Sequence, residues 1–174
     1  MTKFRSDIKN LGSADDFQQY LSHYNPSIAP WARAVTIHHT YKPDEEQWNG
    51  ERTLRAIQRF YESKGWDSGP HLFIAPDGIW QLTALNETGI HVNGAVNKMS
   101  WGIEVVGYFD HRDWTPELRA TVYAVTATLL QWRSLPVTYD TVRGHREWGS
   151  PKTCPGTMID MDTVRSDITA LMGE

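Results

Sequence analysis

Ala34-Val35-Thr36-Ile37-His38-His39-Thr40 is an apolar, β-branched run that ends on two adjacent histidines, the composition of a buried strand. Successive strand residues point to opposite faces, so only one of the pair, His38 or His39, can enter any single site from this strand. Next along the chain, Gly69-Pro70-His71-Leu72-Phe73-Ile74-Ala75 and Ile79-Trp80-Gln81-Leu82 flank Pro76-Asp77-Gly78, a turn signal between two apolar runs and hence a hairpin. Trp101-Gly102-Ile103-Glu104-Val105-Val106-Gly107 supplies a further strand.

Helical spacing fills the intervals. Residues 53–64 place Leu54, Ile57, Phe60 and Tyr61 inward, with Gly65 as the stop. Thr115-Pro116-Glu117 opens a helix with a cap, a proline at the first position and an acid in the first turn. Its buried stripe is Leu118, Val122, Val125, Leu129 and Trp132, and Leu135-Pro136 ends it. A last helix turns Val164, Ile168 and Leu171 inward. Its charges, Asp160, Asp162, Arg165, Asp167 and Glu174, leave it without the basic face of a membrane-disrupting tail. At the other end, Ser13-Ala14-Asp15-Asp16 has the form of a helix N-terminus, followed by Phe17, Tyr20, Leu21 and Tyr24 at helical spacing. That helix must stop before Pro26, and residues 26–30 are expected to be an extended connector. Residues 1–33 therefore form an N-terminal helical wrap of the same domain.

The chain of 174 residues, 40% of them apolar and 11% aromatic, suits one compact domain. A formal charge of −4 with no block of like charge argues against nucleic acid as a partner. A single cysteine excludes an internal disulfide framework. The N-terminus lacks the apolar core of a secretory signal, and no run approaches a membrane span. The expectation is a soluble monomer made in the cytoplasm, with no membrane partner.

The chemistry-bearing residues lie in several places. Gly144-His145-Arg146-Glu147-Trp148-Gly149-Ser150-Pro151-Lys152-Thr153-Cys154-Pro155-Gly156 carries a histidine, a lysine and the lone cysteine in a loop stiffened by proline. Such a cysteine is an inert buried thiol, a nucleophile or a metal ligand. Glu104 interrupts an apolar strand, and a carboxylate there must face water, be paired or do chemistry. Residues 86–100, with Gly89, His91, Asn93, Gly94 and Asn97, form a polar loop of the kind that lines clefts. His71 and His91 each have an ordinary reading as hydrogen-bonded core histidines. One strand histidine, His145 and Cys154 together suit zinc, since three protein ligands leave the fourth tetrahedral position open. Glu104 is then a candidate base, and Lys152 a cation for an oxyanion. A cysteine peptidase built on Cys154 and His145 fits the same loop but leaves His38, Lys152 and Glu104 unused.

Ile37-His38-His39-Thr40, the hairpin, Gly89-Ile90-His91, Trp101-Gly102-Ile103-Glu104-Val105-Val106-Gly107, Gly144-His145-Arg146-Glu147 and Lys152-Thr153-Cys154-Pro155 resemble, in order and approximate spacing, the zinc N-acetylmuramoyl-L-alanine amidases. That superfamily contains phage endolysins, bacterial muropeptide amidases and peptidoglycan recognition proteins. The resemblance runs over residues 34–174, which it marks as the catalytic domain. It implies an α/β fold, with a central mixed sheet flanked by helices and zinc in a surface groove. It also implies hydrolysis of the amide between N-acetylmuramic acid and L-alanine, with peptidoglycan or a muropeptide as substrate. By the same resemblance Zn2+ falls to His38, His145 and Cys154, and Lys152 assists the transition state. Many phage members place a tyrosine just before the hairpin strand, but here that position is Pro70. Muropeptide amidases instead carry a glutamate in their Gly-Ile-Glu strand, which Glu104 matches. His91 resembles a cleft histidine near substrate, and Asn93 and His39 are further candidates for substrate contact. The biological role implied is a phage-type endolysin or a cytoplasmic muropeptide recycler. Some relatives bind muropeptides without cutting them.

Overall fold

The computed structural model describes residues 3–173; Met1, Thr2 and Glu174, read above for the signal and for the last helix, lie outside them. Among the described residues the chain forms β1 (Lys9–Asn10), α1 (Ala14–Ser22), β2 (Ala34–His39), α2 (Gly50–Ser63) and β3 (Leu72–Ala75). It continues with β4 (Gly78–Gln81), β5 (Ser100–Val105), α3 (Pro116–Trp132), β6 (Val142–Gly144) and α4 (Met161–Met172). Short 3-10 turns occupy Pro26–Ile28, Val96–Lys98 and His145–Trp148.

One sheet of order β1-β4-β3-β5-β2-β6 holds all six strands. β2 runs parallel to β5 and β6, and β3 parallel to β5, whereas β4 is antiparallel to β3 and β1. This is a single α/β domain on a mixed sheet. The central parallel strands end together, and in open α/β sheets that edge is where ligands bind.

Register sorts the side chains into two layers. Val35, Ile37, Leu72, Ile74, Trp101, Ile103 and Val105 share one core with α1, α3 and α4. Phe73 and Leu82 face the other way, with Leu54 of α2. Glu104 pairs with His38 on one side and Phe73 on the other, so these three form a row on the α2 face.

Local chemistry fixes the helices. Ser13 Oγ accepts from the Asp16 N–H at 3.2 Å while Asp16 Oδ2 accepts from the Ser13 N–H at 2.8 Å, a reciprocal box that starts α1. Thr115 caps α3 by accepting from the Leu118 N–H at 3.2 Å, with Pro116 in the first helical position.

Three expectations change, and two strands that the pattern did not indicate are added. The connector at 26–30 is not extended: Asn25 Oδ1 accepts from the Ser27 N–H at 2.9 Å and starts a 3-10 turn. Phe60 is 56% exposed, because it lies off the stripe that Leu54, Ile57 and Tyr61 lay against the sheet. Leu171 is 58% exposed, and Met172 makes the last contact of α4 with the core. β1 and β6, of two and three residues, are too short to show a two-residue period.

Candidate active site

His38 reaches the α2 face from the C-terminal end of β2, while His39 points to the other side. The His39 ring accepts from the Phe109 N–H at 3.3 Å and tilts against Tyr108. His145 follows β6 directly. Its turn is held by Glu147, whose Oε2 accepts from the Gly144 N–H at 2.8 Å. Arg165 of α4 then grips both oxygens of Glu147 at 3.0 Å and donates to the Val142 carbonyl at 2.9 Å. The pair is largely buried, at 11% and 15% side-chain exposure, so each charge depends on the other.

The loop carrying Cys154 is stapled back onto this turn. The Arg146 N–H donates to the Cys154 carbonyl at 2.9 Å, and the Arg146 guanidinium donates to the carbonyls of Thr153 at 3.1 Å and Gly156 at 2.7 Å. Asp110 accepts from the Thr153 hydroxyl at 2.8 Å and the Thr157 N–H at 2.9 Å. Gly144 permits the approach, since a Cβ there would lie 2.7 Å from Pro155 Cδ.

Three donor atoms converge as a result. His38 Nδ1 lies 3.1 Å from His145 Nδ1 and 3.6 Å from Cys154 Sγ, and all three donors lie within 4.8 Å of one another. All three residues are buried, and together they could hold a metal ion. Burial holds His38 well below its usual range, with repulsion from His91, His145 and Lys152 added. Burial likewise lowers His145 to about 4, again helped by Lys152. Both imidazoles are therefore neutral at pH 7, the form a metal requires. Burial, and then the charge of Glu104, pushes the Cys154 thiol up, against the His39 N–H that donates to its sulfur at 3.3 Å. Only a cation in the cluster would hold this sulfur as thiolate near neutrality, which disfavours a free nucleophile.

The cluster opens into a cleft of about 730 Å³ that Glu104, Lys152, Tyr61, Lys42, Lys64 and Pro70 also line. Glu104 Oε2 is buried with no hydrogen-bond partner among the described residues. Burial pushes this carboxyl up to about 8, with Lys152 pulling it down. A raised, unpartnered carboxyl facing a cleft is the usual sign of a group that exchanges protons with a ligand.

A family profile described as N-acetylmuramoyl-L-alanine amidase matches residues 28–157. The chain belongs to the N-acetylmuramoyl-L-alanine amidase family. A search of the curated proteins finds no match. Among solved structures, an endolysin amidase, LysCS from Clostridium intestinale, superposes at TM-score 0.65 with 21% identity, covering 79% of this chain and 84% of that one. Wild-type PGRP-LB of Drosophila gives TM-score 0.65 at 20% identity over 92% of this chain and 85% of that one. A Drosophila PGRP-LB mutant in complex with tracheal cytotoxin gives 0.64 at 19% identity, over 92% and 86% of the two chains. At these identities the likeness is one of fold.

In this member of the family the structure gathers His38, His145, Cys154, Glu104 and Lys152 around one cleft. His39 also lines the cleft, but its ring is turned away and tied to Phe109. His91 lines it too, but both ring nitrogens have protein partners, His38 at 3.0 Å and the Ser100 carbonyl at 2.9 Å. Asn93 is not brought into the cleft: its side chain accepts from the N–H groups of Ala95 at 3.1 Å and Val96 at 3.2 Å. His71 is fully buried, accepting from the Gly102 N–H at 3.0 Å and bonded to the Glu87 carbonyl at 2.9 Å.

Three contributors escaped the sequence reading. Arg146 and the Arg165–Glu147 pair hold the ligand loop, but a lone arginine or glutamate in sequence carries no mark of its partner. Tyr61 was assigned to the inward stripe of its helix, yet it also reaches the cleft, where burial and the charge of Glu104 push its phenol up.

Proposed function

We propose that the protein is a zinc-dependent peptidoglycan hydrolase that cuts the amide between N-acetylmuramic acid and L-alanine, and that it acts as a phage-type endolysin. The observation that carries this reading is the convergence of three donor atoms within 4.8 Å, beside a buried carboxyl oxygen without a partner, in one cleft. Two imidazoles and a sulfur form a borderline-soft donor set that fits zinc, with His38, His145 and Cys154 as its ligands. When bound, zinc would polarise the scissile carbonyl and acidify water.

The chain's own groups handle the protons. Glu104 takes the proton of the attacking water at its free oxygen. Water oxygen bonds to the lactyl carbonyl carbon, the C–N bond breaks, and Glu104 returns the proton to the alanine nitrogen. A dication nearby favours the ionised carboxylate, so a group at about 8 in the metal-free chain becomes available as a base. Lys152 faces the negative charge that develops on the carbonyl oxygen. Pro70 offers neither hydroxyl nor N–H and the Tyr61 phenol is pushed up by burial, so Glu104, the one acid lining the cleft, is the proton acceptor in this reading.

The rim suits an anionic peptide. Lys42, Lys64 and Lys152 line the cleft, and Glu104 is the one acid among its lining residues. Tracheal cytotoxin, bound by the Drosophila relative, supports a muropeptide as ligand, and the name of the Clostridium intestinale protein supports the endolysin role. Residues 34–174 would form the catalytic domain, with the N-terminal segment as its wrap.

Purified wild type is expected to release new alanine amino termini from peptidoglycan, to lose this activity on chelation and to regain it with zinc. Full activity after exhaustive chelation, abolished by thiol alkylation, would refute the zinc reading in favour of the cysteine. Turnover of intact sacculi well above that of soluble anhydro-muropeptides is expected of an endolysin, and the reverse order would make the protein a recycler.

A further inference from the structure

We propose that His91 is a positioning residue: held by the Ser100 carbonyl, it obliges His38 to carry its proton on Nε2 and so to present a bare Nδ1 to the metal cluster. The inference rests on the metal site proposed above and adds a member that does not touch the metal.

The argument follows hydrogen-bond polarity along one chain of atoms. A carbonyl oxygen only accepts, so His91 Nε2, 2.9 Å from the Ser100 oxygen, carries a hydrogen. A neutral imidazole has one N–H, so His91 Nδ1 is a lone pair. His38 Nε2 lies 3.0 Å from that lone pair and must donate to it. The remaining nitrogen, His38 Nδ1, is then unprotonated, and it is the atom that lies 3.1 Å from His145 Nδ1 and 3.6 Å from Cys154 Sγ. A ligand histidine whose far N–H is anchored in this way has a fixed tautomer and ring angle. His145 differs: its Nε2 has no hydrogen-bond partner among the described residues, and in the metal-free chain the same polarity has its Nδ1 donate to the bare His38 Nδ1, so no outer partner anchors it.

The surroundings are shaped around the His91 ring. It lies over Gly102, where a Cβ would sit 2.7 Å from His91 Cγ and 2.9 Å from Nδ1. Any side chain at 102 would displace the ring from His38. Behind it stands His71, its centroid 6.0 Å away with the planes at 74°, itself locked to backbone at both nitrogens. The loop carrying His91 is tied down by Asn97 Oδ1, which accepts from the His91 N–H at 3.1 Å and the Val92 N–H at 2.9 Å. Both ends of the relay are therefore fixed to backbone.

Nitrogen-15 NMR of histidine-labelled, metal-free wild type reads the tautomer directly. The expected result is a His38 proton on Nε2 and a His91 proton on Nε2; a His38 proton on Nδ1 overturns the proposal. Zinc affinity, measured by competition with a chromogenic chelator, is expected to fall about 10- to 100-fold in His91→Phe, the range for loss of an outer partner of a metal-bound histidine. His91→Gln, whose amide can both accept from His38 and donate to Ser100, should recover most of that loss. Gly102→Ala, which disturbs the ring without changing its chemistry, should weaken binding in the same direction. Wild-type affinity in a folded His91→Phe overturns the proposal. A wild type that takes up no zinc, by contrast, counts against the metal site itself, and the NMR tautomer still tests the relay.

Discussion

The two faces of the central sheet are built by the same strands and obey opposite rules. On one, Val35, Ile37, Ile103 and Val105 meet Phe17, Val122, Leu129 and Ile168 in a layer of apolar side chains. On the other, the alternate residues Thr36, His38, Ser100 and Glu104 place polar groups on the opposite side, most of them buried. The first face is held mainly by packing, with the Trp101 indole N–H donating to the Leu85 carbonyl at 2.9 Å. On the second, every buried polar atom needs a partner. Trp148 Nε1 donates to Thr36 Oγ1 at 2.9 Å, Thr36 lies 2.6 Å from Ser100 Oγ, and the histidine relay runs beside them. Glu104 Oε2 alone in this row lacks a partner among the described residues. The larger apolar core thus sits on one face and the chemistry on the other, a period of two residues apart, with the smaller cluster of Leu54, Phe73 and Leu82 packed beside the site.

The largest expected break is at that exception. Glu104→Gln keeps the volume but cannot take a proton, and should lower amide hydrolysis about 10²- to 10⁴-fold. Zinc affinity should remain close to wild type. Counting new alanine amino termini alongside chelator competition separates the two effects, and a rate near wild type would remove Glu104 from the chemistry. Lys152→Met should cost less, about 10²- to 10³-fold in kcat, the scale for losing one oxyanion donor. A change confined to KM would instead make Lys152 a substrate-binding residue.

The apolar face should respond in the converse manner. Phe17 is fully buried, and Phe17→Ala should lower stability by ~3–5 kcal/mol in denaturant titration. The activity of the fraction that remains folded should hardly change. A large loss of kcat per folded molecule would show that the two faces are not separable.

The same comparison explains what the sequence could disclose. The strand at 34–40 was legible because β-branched residues and alternation are local signals, and the capping box at Ser13 and the Thr115-Pro116 start of α3 are local as well. His38, His145 and Cys154 could be nominated because few side chains bind metal, yet only their order along the chain, matched to a family, joined them. What could not be read was non-local. The use of Asn93 in its own turn, the grip of Arg146 on three carbonyls and the pairing of Glu147 with Arg165 depend on where backbone atoms arrive after folding. The role of Gly102 was hidden for the same reason, since its lack of a Cβ matters only when the ring of His91 lies over it.

The smallest expected effect, on the order of a few degrees in Tm between pH 6.5 and 8, comes from the Glu104 proton on the polar face. The Glu104 carboxyl is raised from 4.5 to about 8 in the folded chain, so its contribution to stability is full below pH 4.5 and is lost as pH rises through 8. The buried histidines act in the other direction. His91 and His145 are lowered from 6.5 to about 4 and His71 to about 3, so their contribution is present above pH 6.5 and is lost as pH falls through those values. Chelated wild type should therefore be most stable near pH 6.5 and decline on both sides. Glu104→Gln has no proton to lose, so its melting curve should stay level from pH 6.5 to 8 while still falling in acid. A Glu104→Gln protein that declined in parallel with wild type above pH 6.5 would place the titrating group elsewhere and make the polar face no different, in this respect, from the apolar one.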